Sequence, residues 1–302
     1  MNVRCRPSTA SNYAAVVRLY LKPALGRVPL AKLTPAHVQR MLADLTARGD
    51  LSPTTVRYAY SILRIALGRA LKSGRVLSNV CTLVDPPAKA HVELRPLSAD
   101  EVGVFLDSVA ETRAGPLYVV AIGTGLRQGE LLGLRWSDVD LDGATLTVNH
   151  ALARGTHALV EPKTERARRT LRLGAEVLAA LRTQRRHQLA EHVAAGPRWQ
   201  DGNFVFTTPT GEPLDHANAL HTFQTAVARA GLPHQRFHDL RHACATLLLE
   251  QGEELGVISK ILGHTNVATT ADVYAHLTPA MTERVAERLD AVLRHRRVST
   301  TG

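Results

Sequence analysis

The sequence predicts a mainly α fold with a small antiparallel β-sheet, an α+β architecture divided into two domains. Three observations predict it. Residues 8–73 carry apolar side chains at helical spacing, interrupted by short turn signals, whereas residues 144–173 switch to period two. Between these blocks, residues 84–97 contain three prolines and little periodicity, the composition of a linker. A chain of 302 residues has material for two cores at about 100–200 residues per domain. The expected division is a small helical domain over 1–83, a linker over 84–97, and a larger domain over 98–302 that ends in a tail.

Within the first domain each helix has its own start and stop signals. Ser8-Thr9 can cap a segment bearing Tyr13, Val16, Val17 and Tyr20, which is expected to stop near Pro23 and Gly26. Thr34-Pro35 is a cap followed by proline at the first helical position, and Val38, Met41, Leu42 and Leu45 form the next stripe. Ser52-Pro53 repeats the signal. The third helix turns Val56, Ile62, Leu63, Ala66, Leu67 and Ala70 inward and ends at Gly74. It also carries Arg57, Arg64, Arg69 and Lys72, with no acidic residue between Asp50 and Asp85. A solvated face is the default for such charges, but one sign over so long a stretch favours phosphate contact.

The larger domain opens with a capping box, Ser98-Ala-Asp-Glu101, ahead of Val102, Phe105, Leu106 and Val109. Pro116 to Ile122 reads as a buried helix ending at Gly123-Thr-Gly125, and Arg127 follows at the start of another. Period-two segments lie at 145–149, 158–160 and 170–173, with a polar, basic hairpin over 161–169 between the second and third. Gly174 to Ala195 is a long amphipathic helix, Phe204-Val-Phe206 an extended segment, and Asp215 opens a helix running to Arg229. Shorter helical patterns then carry His238, Arg241 and His242, Ile258 to Leu262, and Tyr274, and a last helix is expected over Pro279–Val298.

A formal net charge of +10 makes a polyanionic partner plausible, either nucleic acid or an anionic membrane surface. Arginine supplies most of it, since lysine occurs only at 22, 32, 72, 89, 163 and 260. The forked guanidinium suits phosphate. The three cysteines, Cys5, Cys81 and Cys244, match no metal or disulfide spacing, which fits a reducing cytosol. No run of about 18 apolar residues and no apolar signal region occur, so no membrane partner and a cytoplasmic location are expected.

Taken singly, the chemical side chains are ambiguous. Arg127 is either held on a rigid glycine corner or paired with Glu130 at the surface. Lys163 reads as a solvated turn lysine, and His264 and Tyr274 as structural residues. His238 and His242, four apart, raise a zinc reading, but Asp239 stands where the metalloprotease pattern has glutamate and no third ligand is evident, so no metal is expected.

The combination is more specific. Thr-Gly-Leu-Arg-Gln-Gly-Glu-Leu-Leu at 124–132, Pro-Lys-Thr at 162–164, His-Asp-Leu-Arg-His at 238–242, Leu-Gly-His-Thr at 262–265 and the closing Tyr274 occur in one order and spacing. In these motifs the chain resembles the tyrosine recombinase (phage integrase) family over about residues 8–290, with a less specific likeness of the helical first domain to that family's core-DNA-binding, SAM-like domain. The resemblance implies a site-specific recombinase that breaks and rejoins DNA through a 3′-phosphotyrosyl intermediate, without ATP or cofactor.

By the same match Tyr274 is the nucleophile, and Arg127 and Arg241 bind the non-bridging oxygens. Lys163 is then general acid for the leaving 5′-oxygen, His238 assists proton transfer, and His264 donates a hydrogen bond to phosphate. Glu130 steadies Arg127, and Asp239 is structural. The implied partner is double-stranded DNA, bound by a homotetramer on synapsed duplexes and a monomer off DNA, with DNA-bending or excision factors as accessories. A bacterial or phage-encoded, nucleoid-associated protein is implied. Many phage-type integrases carry an arm-binding module ahead of the core-binding domain. Here that module is absent or the start is truncated. Two other readings share these features: relaxation of DNA by a type IB topoisomerase-like enzyme, and a DNA-binding regulator that has lost catalysis, although no catalytic residue is missing.

Overall fold

The computed structural model describes residues 7–88, 95–161 and 168–263. Lys163, His264, Tyr274 and the expected helix over 279–298 lie outside the described residues. The chain forms two compact units, Met1–Glu93 and Leu94–Gly302.

The first unit is helical. Its opening helix α1 (Pro7–Val16) passes through a π-helical turn, Val17–Leu21, into α2 (Lys22–Leu25). The sequence suggested a stop near Pro23 and Gly26, and the helix ends at Leu25 with Gly26 as its C-cap. The backbone runs through Pro23, and the wider turn, in which the Lys22 N–H reaches back to the Val17 carbonyl, lies just before the proline. Such a turn relieves the usual clash of the ring with the preceding turn. Helix α3 (Pro35–Ala47) starts where expected, with the His37 ring closing on both the backbone and hydroxyl of Thr34. Helix α4 (Pro53–Lys72) starts at Ser52, whose Oγ accepts the Thr55 N–H at 3.2 Å.

Val38, Met41, Leu42, Leu45, Val56, Ile62, Leu63 and Leu67 form this unit's core. Ala59 and Tyr60 are buried with them, whereas Ala66, expected inside, is exposed. The Tyr60 hydroxyl donates to the carbonyls of Cys81 and Val84 and so ties the exit segment to α4. Arg64, Arg69 and Lys72 are exposed, but Arg57 is half-buried and donates to the Pro87 carbonyl.

The second unit begins with α5 (Ala99–Val109), closed by the expected capping box: Ser98 Oγ accepts the Glu101 N–H at 3.2 Å and the Glu101 carboxylate accepts the Ser98 N–H at 3.0 Å. Helix α6 (Gly115–Thr124) is buried along most of its length, and the short α7 (Gln128–Leu132) follows one corner later. Strands β1 (Val139–Asp140), β2 (Thr145–Val148), β3 (Ala151–Leu152), β4 (Leu159–Val160) and β5 (Arg169–Arg172) form two antiparallel ladders, β1-β2-β5 and β3-β4. Period two had marked 145–149, 158–160 and 170–173. The middle segment pairs with β3 across the turn at Gly155 (φ +73°), leaving β2 free to take β5 as its neighbour.

Helix α8 (Ala175–Ala195) packs on α6 and is followed by α9 (His216–Arg229), α10 (Asp239–Glu250) and α11 (Leu255–Leu262). Phe105, Tyr118, Phe223 and Phe237 make a chain of tilted and edge-on ring contacts through the core. The buried face of α8 is not uniformly apolar. Gln184 Nε2 donates to the Val205 carbonyl, and Gln188 Nε2 donates to the Phe204 carbonyl at 2.9 Å and to Thr207 Oγ1 at 3.0 Å. The Gln188 Oε1 accepts the Trp136 indole N–H at 2.6 Å. These amides hold an extended segment that has little ladder of its own.

Gln188→Leu keeps the volume but strips partners from three buried groups. Its expected cost is about 2–4 kcal/mol, at about 1–3 kcal/mol per unsatisfied group after partial relaxation. Urea denaturation monitored by the Trp136 and Trp199 fluorescence checks it.

Candidate active site

The site is built on two glycine corners. Helix α6 ends at Gly125 with φ +60°, and a Cβ there would lie 2.5 Å from Leu262 Cδ2 and 3.1 Å from Cys244 Sγ. Helix α11 ends at Gly263 with φ +67°, where a Cβ would meet the Arg169 guanidinium at 2.9 Å. Both positions need the left-handed region and neither has room for a side chain.

Arg127 follows the first corner as the N-cap of α7. Its backbone N–H donates to Glu130 Oε2 at 3.1 Å, its Nη1 to Glu130 Oε1 at 2.7 Å, and its Nη2 to the Gly263 carbonyl at 3.0 Å. The ambiguity over Arg127 therefore resolves in both directions: the arginine stands on a rigid corner and is also paired with Glu130. Arg241, in the first turn of α10, is 2% exposed. Its Nη1 donates to the Gly125 carbonyl and its Nη2 to the Leu262 carbonyl, each at 2.7 Å.

Arg169, the first residue of β5, completes the set. Its side chain is 7% exposed, its Nε donates to the Ile261 carbonyl at 2.6 Å, and its Nη2 donates to Glu130 Oε2 at 3.0 Å. Three successive carbonyls at the end of α11 thus accept from three different arginines. The last carbonyls of a helix lack intrahelical partners and carry the negative end of its dipole, which suits cationic donors. Sequence reasoning placed Arg169 in the basic hairpin and missed it. The signal was present in the alternation: Arg169 shares a strand face with the buried Leu171 and Leu173, so its charge had to find partners inside.

Electrostatics follow from this packing. Burial disfavours ionised Glu130, but Arg169 and Arg127 outweigh it and hold the carboxyl below its usual range. His238, the N-cap of α10, has its pKa pushed down to about 4, first by burial and then by His242, Arg241 and Arg127, against the opposing pull of Asp239. Its ring meets that of His242 edge-on at 5.0 Å. The Asp239 carboxylate accepts the Arg236 backbone N–H at 2.7 Å and the Arg236 Nη2 at 2.7 Å. Burial opposes its ionisation, and these bonds override that.

The structure therefore brings together Arg127, Glu130, His238, Asp239 and Arg241. Arg127 and His238 open onto a cleft of about 440 Å³ whose other cationic walls are Arg154 and Arg236. Lys163, His264 and Tyr274 lie outside the described residues, although His264 directly follows the Gly263 corner in the chain. Among the described residues no cluster of three or more His, Cys, Asp or Glu could hold a metal ion, and no helix is long and apolar enough to cross a membrane.

Residues 97–281 match the model of the phage integrase family, and residues 1–46 that of the phage integrase N-terminal SAM-like domain. The chain belongs to the phage integrase family. It is 30% identical over 306 residues to a tyrosine recombinase XerC-like protein of Caldanaerobacter subterraneus subsp. tengcongensis, covering 94% of this chain and 78% of that relative. The fold is that of the Tn1549 transposon integrase solved with transposon right end DNA, at a TM-score of 0.80, 22% identity and 96% coverage of both chains. A lambda integrase tetramer bound to a Holliday junction matches at a TM-score of 0.68 and 20% identity, over 92% of this chain and 75% of that one. This tyrosine recombinase thus has the mainly α architecture with small antiparallel sheets that its periodicity implied.

The depressed pKa of His238 has a thermodynamic consequence. Folded, the ring stays neutral down to about pH 4; unfolded, it protonates near its ordinary value of about 6.5. Unfolding between those values takes up a proton, so stability falls as pH drops through that window. His238→Asn is expected to flatten the fall in Tm between pH 6.5 and 4, leaving a residual slope from His242, which is also shifted down by burial. Thermal melts across that range measure it.

Proposed function

We propose that this recombinase cuts and rejoins specific DNA sites through a 3′-phosphotyrosyl link on Tyr274, with Arg127 and Arg241 binding the scissile phosphate. The observation that carries the reading is the convergence of these two arginines on the adjacent Gly263 and Leu262 carbonyls, at the residue before His264.

The chemistry is in-line displacement at phosphorus. The Tyr274 hydroxyl oxygen forms the new P–O bond and gives up its proton as the bond to the 5′-oxygen breaks. Lys163 supplies a proton to that leaving oxygen, and the 5′-hydroxyl of a second strand reverses the step. Phosphodiester energy is conserved, so no nucleotide is consumed. Negative charge on the non-bridging oxygens grows toward the transition state, and the two forked guanidinium groups meet it already oriented. A neutral His238 can receive a proton or a hydrogen bond from the phenol, whose ordinary pKa of about 10 keeps it protonated at neutral pH. His264 donates to the phosphate.

Double-stranded DNA is the substrate. Arg64, Arg69 and Lys72 on the exposed side of α4 suit contacts to the backbone of the core site, whereas Arg57 is already engaged with Pro87. A homotetramer on two synapsed duplexes is the proposed active assembly.

On a nicked cognate duplex the chain is expected to form a covalent 3′ adduct that survives a denaturing gel and persists in EDTA. Tyr274→Phe is expected to abolish the adduct, and an undiminished adduct would refute the nucleophile. Arg241→Lys, which keeps the charge and loses the fork, is expected to slow adduct formation by about 10²–10³ under single-turnover conditions.

A further inference from the structure

The geometry points to Arg169 as a positioning residue of the recombination centre, one that locks Arg127, through Glu130, and the Leu262–Gly263 corner into a single unit. This rests on the proposed function, because Arg127 matters only if it binds the scissile phosphate.

Glu130 joins the two arginines. Its Oε1 receives the Arg127 Nη1, and its Oε2 receives both the Arg127 backbone N–H and the Arg169 Nη2. The terminal torsion of a glutamate is broad, so two bonds from one neighbour leave carboxylate and guanidinium able to swing together. Arg169 supplies a donor from a separate strand and removes that freedom. Its own position is fixed by the Ile261 carbonyl at 2.6 Å and by Gly263, whose backbone packs so close that no Cβ would fit against the guanidinium.

One planar fork therefore ties β5, Glu130 and the end of α11 to one another. A lysine could keep the charge, but a point donor cannot span the two acceptors as Nε and Nη2 do. Arg169 also stands six positions after Lys163 in the chain.

The test uses the full chain and nicked duplexes tiled across the DNA that flanks the gene, taking one on which the wild type forms its adduct. Arg169→Met and Arg169→Lys are expected to bind that duplex within about twofold of wild type yet to form adduct about 10- to 100-fold slower, the penalty of a small misplacement. Combined with Arg127→Lys, the Arg169→Met loss is expected to be smaller than the product of the two single losses, because both act through one carboxylate. A folded Arg169→Lys with the wild-type rate would overturn the inference. So would losses that multiply, or a variant that loses affinity while keeping its rate on bound DNA. If Arg169→Met does not fold, the lysine variant and its cycle with Arg127→Lys decide. If neither folds, the residue is a stability element and the inference fails. Failure of the tyrosine reading shows separately, as no adduct from the wild type on any duplex.

Discussion

Three arginines donating to the carbonyls of Ile261, Leu262 and Gly263 are the interaction on which the rest of the site depends. Like charges brought so close repel one another, and burying them removes water that would screen the repulsion. The helix terminus supplies the compensation, with its unpaired carbonyls and the negative end of its dipole, and Glu130 adds a full charge between Arg127 and Arg169. Bonds of this charge-assisted kind contribute about 1.5–3 kcal/mol each. The balance remains positive, and the orientation of the three cations is set by the protein itself.

The backbone had to meet two conditions for this. Gly125 lets α6 stop and turn sharply enough to present Arg127, and its carbonyl accepts from Arg241. Gly263 lets the last turn of α11 lie against the Arg169 guanidinium. Each corner packs against residues carried by the other's partners: Leu262 and Cys244 at Gly125, Arg169 at Gly263. The corners and the arginines therefore form one structure, and a change at either end is felt at the other.

Burial beside these arginines also determines the histidine. His238 sits at the start of α10 between His242, Arg241 and Arg127, and desolvation with neighbouring positive charge keeps it neutral at physiological pH. Asp239 counteracts this only weakly, because Arg236 already engages its carboxylate from both backbone and side chain. The same crowding that orients the guanidinium groups thus selects the protonation state that can take part in proton transfer.

By itself the sequence determined the elements whose signals are local. The Thr34-Pro35, Ser52-Pro53, Ser98–Glu101 and Asp215 starts are hydrogen bonds made within one turn, and period two in 145–149 and 170–173 is a property of the pleat. The motifs around Arg127, His238 and Arg241 carried the family. Tertiary structure alone decided the features that depend on distant partners. A π turn at Val17–Leu21 leads the helix through Pro23, β2 pairs with β5 while β4 pairs with β3, and Gln184 and Gln188 are buried because Phe204–Thr207 needs donors. Arg169 is the clearest case. It sits in register with inward leucines, but its acceptors, Glu130 and Ile261, are 39 and 92 positions away, and nothing in its neighbourhood along the chain names them. A buried charge finds its partners in space, and only the folded chain says which they are.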